Sequence, residues 1–90
     1  MKTIRIKISG NVQGVMFRKF IKDEADKLEI KGHVRNLESG EVEVMAEGTP
    51  ENVDKMVACC KKGAPHSVVK NADLQEMNHI GFDAFKILSI

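Results

Sequence analysis

Gly32-His33-Val34-Arg35-Asn36-Leu37-Glu38-Ser39-Gly40-Glu41-Val42-Glu43-Val44-Met45-Ala46-Glu47 is the stretch on which the fold turns. A strand begins at Gly32 and runs through Val34 and Asn36. Glu38-Ser39-Gly40 is turn chemistry. From 41 to 47, Val42, Val44 and Ala46 alternate against Glu41, Glu43, Met45 and Glu47. Two such runs around a short turn predict a hairpin.

The flanks on both sides read as helices. Phe17, Phe20, Ile21, Ala25 and Leu28 recur at helical spacing over 17–30, with Gly32 ending that region. After the hairpin, Thr49-Pro50 supplies an N-cap followed by proline at the first helical position. Val53, Met56, Val57 and Cys60 then form an apolar stripe, with Lys61 and Lys62 in the last turn and Gly63 just past it. Residues 3–9 read as a strand, with Ile4, Ile6 and Ile8 on one face and Thr3, Arg5, Lys7 and Ser9 on the other. The tail offers an extended stretch near 67–76 and a strand near 84–90, in undecided register because Val68-Val69 and Ile87-Leu88 each present two faces. The order β-α-β-β-α-β predicts a ferredoxin-like α/β sandwich. Its expected form is a four- to five-stranded antiparallel sheet with two helices on one face and a wetter face opposite. That architecture hosts enzymes, metal carriers and RNA binders, so it names no function.

Composition narrows the classes. Ninety residues suit a single domain spanning 1–90. Fourteen basic and thirteen acidic residues leave a net charge of +1, which argues against a basic nucleic-acid tail and an acidic disordered activator. No apolar run approaches the roughly 18 residues of a membrane span, and the alternating MKTIRIKISG start is unlike a signal peptide. Cys59 and Cys60 are adjacent, a poor arrangement for a disulfide, so a reduced cytoplasmic setting is expected.

The segment Ser9-Gly10-Asn11-Val12-Gln13-Gly14-Val15-Met16-Phe17-Arg18 joins the first strand to the first helix. A glycine-bent corner entering a helix aims several N–H groups at one place, where the helix dipole also favours an anion. Arg18 and Lys19 sit early in the helix, and no acidic residue precedes Asp23 there. Cations at that end are disfavoured unless a negative ligand joins them. A phosphate or carboxylate pocket is one reading; a solvated helix start is the other. No Lys-Ser or Lys-Thr follows the second glycine, unlike a nucleotide-binding Walker loop. Gly10 to Arg18 contain no cysteine or serine to form a phosphoenzyme.

Ile8 to Arg18 resembles the first signature of the acylphosphatases, and Gly32 to Val42, running on to Gly48, resembles their second. The resemblance implies a small enzyme that hydrolyses acyl phosphates to a carboxylate and inorganic phosphate without a metal or other cofactor. It implies that Arg18 binds the phosphoryl group beside the backbone of Val12, Gln13, Gly14, Val15, Met16 and Phe17, and that Asn36 orients the attacking water. Two positions depart from the family pattern: His33 stands where an aromatic is usual, and Met16 where a small residue is frequent. Met16 is expected to narrow the pocket.

Other readings find less support. His33, His66 and His79 share no metal-ligand spacing, and strand alternation puts His33 on the opposite face from Asn36. Cys59-Cys60 is not a Cys-x-x-Cys, and Cys60 and Met56 read as core. An RNA-binding module wants aromatics on central strands, whereas Trp and Tyr are absent and Phe17 and Phe20 belong to the helix. A non-catalytic anion-binding regulatory domain stays open on composition. The expected partner is an acyl phosphate, with no nucleic acid and no membrane, and the expected state is a monomer.

Overall fold

The computed structural model describes residues 1–88. Its elements are β1 (Lys2–Asn11), α1 (Val15–Lys27), β2 (Lys31–Asn36), β3 (Val42–Gly48), α2 (Pro50–Lys62), β4 (Val68–Met77) and β5 (Phe85–Ile87). The strands lie in the order β4-β1-β3-β2-β5. This is the expected βαββαβ sandwich, with both helices on the face that carries Ile4, Ile6, Ile8, Val34, Val42, Val44 and Ala46. Phe17, Ile21 and Ala25 of α1 and Val53, Met56 and Cys60 of α2 close the core from above. Each fully buried aliphatic side chain contributes roughly 1.5–3 kcal/mol, so this single layer supplies the main drive to fold. No helix among the described residues is long and apolar enough to cross a membrane.

Four expectations need correction. The sheet is mixed, because β5 runs parallel to β2 with Gly32 opposite Phe85 and Val34 opposite Ile87. The direction follows from the path. Met77 ends β4 beside Thr3, and Thr3 lies across from Glu47, whose other partner Lys31 begins β2. Chain leaving β4 therefore crosses one end of the sheet and meets β2 at its start. Residues 89 and 90, included in the expected last strand, lie outside the described residues.

Second, α1 spans Val15–Lys27 rather than 17–30. Its end is a Schellman turn: Ile30 N donates to Ala25 O at 2.8 Å and Glu29 N to Asp26 O at 3.2 Å, with Glu29 at φ 54. Glu29, not Gly32, takes the left-handed position. Third, the first strand runs two residues further than 3–9, to Asn11.

Fourth, the face away from the helices is not uniformly wet. Glu43 is 4% exposed and Glu47 2%. Arg5 Nε and Arg35 Nε donate to Glu43 at 2.7 and 2.8 Å, and His33 Nε2 lies 2.9 Å from it. Burial alone raises the Glu43 pKa; the bonds from His33, Arg5 and Arg35 outweigh it and bring the value down to about 2. Glu47 accepts from Thr3 Oγ1 and from the backbone N–H of Ile80, Gly81 and Phe82 at 2.8 to 3.0 Å. Against the upward push of burial, those donors hold its pKa at about 2. Glu47 thereby fastens the crossover between β4 and β5 to the end of the central strand β3.

Candidate active site

The β1–α1 corner begins at a β-bulge. The β1–β4 register shifts between Ser9 and Gly10, and Gly10 holds φ 129. A Cβ there would stand 2.1 Å from the Val68 carbonyl oxygen, so only glycine lets the two strands close. Gly14, at φ 117, is the N-cap of α1 and offers no side-chain cap. The first helical hydrogen bond is long, from Arg18 N to Gly14 O at 3.4 Å. The amides of Val15, Met16 and Phe17 precede that bond and lie outside the helix ladder. No acidic residue stands in this first turn. Val12 and Phe17 anchor the corner through buried side chains, while Gln13, Gly14, Val15 and Met16 are exposed between them.

Gln13 has a role the sequence did not signal. Its Nε2 donates to Gly40 O at 2.8 Å and to Glu41 O at 3.1 Å. The side chain ties the corner to the β2–β3 turn, 27 residues along the chain. A neutral amide in a loop carries no local mark of such a partner.

Arg18 is half-buried, and its Nε donates to Gly14 O at 3.3 Å, which folds the guanidinium back over the corner. Among the described residues no carboxylate lies within ion-pair distance of it. Lys19 differs: Asp23 binds its ammonium at 3.1 Å one turn on, so its charge is already answered.

Asn36 is the last residue of β2 and pairs with Val42, which pairs with Ile8 of β1. This row places Asn36 two strand spacings, about 10 Å, from Ile8, two residues before Gly10 in the corner. Asn36 shares the helix-side face with Val34, and its Oδ1 is buried with no hydrogen-bond partner among the described residues. Leaving such an acceptor unpaired costs about 1–3 kcal/mol. The corner, the start of α1 and Asn36 thus gather at one end of the sheet.

His33 lies on the other face, bound to Glu43 and edge-on to Phe82 with ring centroids 5.8 Å apart. His79 Nδ1 lies 3.2 Å from Glu47. His66 borders a cleft beside the corner together with Met16. Met16 is 75% exposed, so its side chain forms the rim of that cleft. Cys60 is buried in the core with its thiol pushed by burial up to about 12, an unreactive state. Among the described residues no three His, Cys, Asp or Glu side chains gather as metal ligands.

The acylphosphatase family model matches residues 4–87. An acylphosphatase of Methylococcus capsulatus is 40% identical over 89 residues, covering 98% of this chain and 97% of the relative. One of Bacillus licheniformis is 41% identical over 88 residues, covering 97% and 98%. The crystal structure of the Bacillus subtilis acylphosphatase superposes with a TM-score of 0.93 at 38% identity, over 98% of this chain and 99% of that one.

Proposed function

The chain belongs to the acylphosphatase family and is an acylphosphatase, and we propose that it works by gripping the phosphoryl group with Arg18 and the backbone of Val12 to Phe17 while Asn36 aims a water at phosphorus. One observation carries this reading. Arg18, with no carboxylate partner among the described residues, is folded over a helix start whose first amides lie outside the ladder. An anion there answers both the guanidinium and the dipole.

The chemistry asks for little more. An acyl phosphate already carries a good leaving group, so catalysis reduces to position and charge. Water oxygen forms its bond to phosphorus as the bond from phosphorus to the acyl oxygen breaks. The carboxylate leaves with the electron pair. Asn36 accepts a hydrogen bond from the water through Oδ1, and as a neutral amide it takes no proton. A phosphate oxygen of the substrate receives that proton. Arginine's planar fork suits the transition state because two oxygens are held at once. A charge-assisted bond is worth roughly 1.5–3 kcal/mol, which corresponds to one or two factors of ten in rate when it strengthens in the transition state.

The test is Arg18→Lys, which keeps the charge and loses the fork. Turnover of acetyl phosphate should fall by about one to two factors of ten, with weaker inhibition by inorganic phosphate. Unchanged turnover and unchanged phosphate inhibition would remove Arg18 from the site.

A further inference from the structure

Residues 78–88 leave the sheet at β4, cross one end of it and return as β5 on the far side of β2. This segment is thinly attached. Phe85 is the one buried side chain among residues 78–88. Ile80 and Ile87 are apolar yet 51% and 40% exposed, so they add little anchorage. β5 is three residues long and pairs with no strand but β2.

Beyond that ladder, two sets of hydrogen bonds hold the segment. Gly32 N donates to Ala84 O and Leu88 N to Val34 O, each at 2.9 Å, which fixes β5 to β2. Earlier in the segment, Ile80 N, Gly81 N and Phe82 N converge on the single buried carboxylate of Glu47. His79 Nδ1 stands 3.2 Å from the same carboxylate, and Phe82 meets His33 edge-on. Only Asp83 and Ala84 separate the residues bound to Glu47 from β5, so loss of one set of bonds loosens the other. The rest of the sheet depends little on either. β1 and β3 keep a strand on both sides without β5.

We propose that residues 78–88 form a strap that opens as one unit from an otherwise intact fold, with Glu47 as its latch and Phe85 as its anchor. Opening turns β2 into an edge strand and frees its outward backbone groups to pair with another strand, which the closed strap prevents. The corner and the row of Asn36, Val42 and Ile8 lie outside the strap.

Native-state hydrogen exchange, read amide by amide by NMR, tests this in the wild type, Glu47→Gln and Ile8→Val. The strap amides are those of Gly32, Ile80, Gly81, Phe82 and Leu88; the central amides are those of Ile6 and Val44. In the wild type the strap amides should share one opening and exchange at least about tenfold faster than the central ones. Ile8→Val weakens the core that stays folded when the strap opens. It should speed the central amides roughly two- to tenfold and leave the strap amides within about twofold. Glu47→Gln weakens the latch, which is lost in local and global opening alike, so it should speed both groups by about tenfold. The proposal is overturned if Ile8→Val speeds both groups equally, because the strap then opens only with the whole fold. It is also overturned if Glu47→Gln speeds Ile80, Gly81 and Phe82 but not Gly32 and Leu88, because the two sets of bonds then open separately. Ile8→Val is a conservative core change, so that arm decides the question even where Glu47→Gln fails to fold.

Discussion

Gly10 and Gly14 both hold positive φ, yet they answer to different constraints. Alanine at Gly10 meets the Val68 carbonyl at 2.1 Å and the Lys70 nitrogen at 2.8 Å, so β1 and β4 must part. Alanine at Gly14 meets nothing within 4 Å and suffers only the backbone conformation, φ 117. Gly10→Ala should therefore lower the melting temperature more than Gly14→Ala. Gly14→Ala should chiefly weaken inhibition by phosphate, because it re-aims the corner amides. Thermal denaturation and inhibition assays on both variants check this, and the reverse order would contradict it. The pH profile is a second prediction. Asn36 does not titrate, and His33 is turned to the opposite face against Glu43. Turnover should be nearly flat around the imidazole pKa, about 6.5, apart from substrate ionisation. A steep inflection there that disappears in His33→Gln would contradict the proposed proton path. The corner was legible from its residues because glycine spacing and an arginine early in a helix each have a local physical meaning. Gln13, Glu43 and Glu47 were not. Their partners are set by sheet register, and a charged residue alternating in a strand ordinarily marks a wet face.

Elements were readable where their ends carry their own chemistry. Thr49 caps α2 as expected, its Oγ1 accepting from Asn52 N at 3.3 Å, and Gly63 ends it at φ 80. The bounds of α1 escaped the same reasoning. Its first residues, Val15 and Met16, are exposed and add nothing to the apolar stripe. Its stop is a glutamate in a position that usually holds glycine. The parallel placement of β5 depends on how β4 leaves the sheet, which three residues of strand cannot express. The Schellman turn yields a prediction of its own. A non-glycine residue in the left-handed region costs about 1 kcal/mol, so Glu29→Gly should raise stability by up to about that much. Urea unfolding measures it. A stability loss would show that the Glu29 side chain contributes more than its backbone costs. Turnover should be unchanged, since Glu29 lies beyond the far end of α1 from the corner.

The fold as a whole depends on two buried carboxylates that must stay ionised. Both Glu43 and Glu47 ionise near 2 in the folded chain, well below the ordinary 4.5. A depressed carboxylate stabilises the fold above its unfolded pKa and loses that contribution as pH falls through the folded value. Stability should therefore decline between about pH 4.5 and pH 2. Glu47→Gln should be less stable at neutral pH and show a shallower decline, read by urea unfolding across that range; equal slopes would contradict the role given to Glu47. What the sandwich achieves with this stability is to bring two separate stretches, the glycine corner with the first turn of α1 and the end of β2, to one end of one sheet. The most direct measurement is the kinetics of Asn36→Ala beside the wild type. Turnover of acetyl phosphate should fall about a hundredfold while the inhibition constant of inorganic phosphate changes less than about twofold. Equal losses in both, or turnover left intact, would contradict a water aimed by Asn36 at a phosphoryl group held elsewhere.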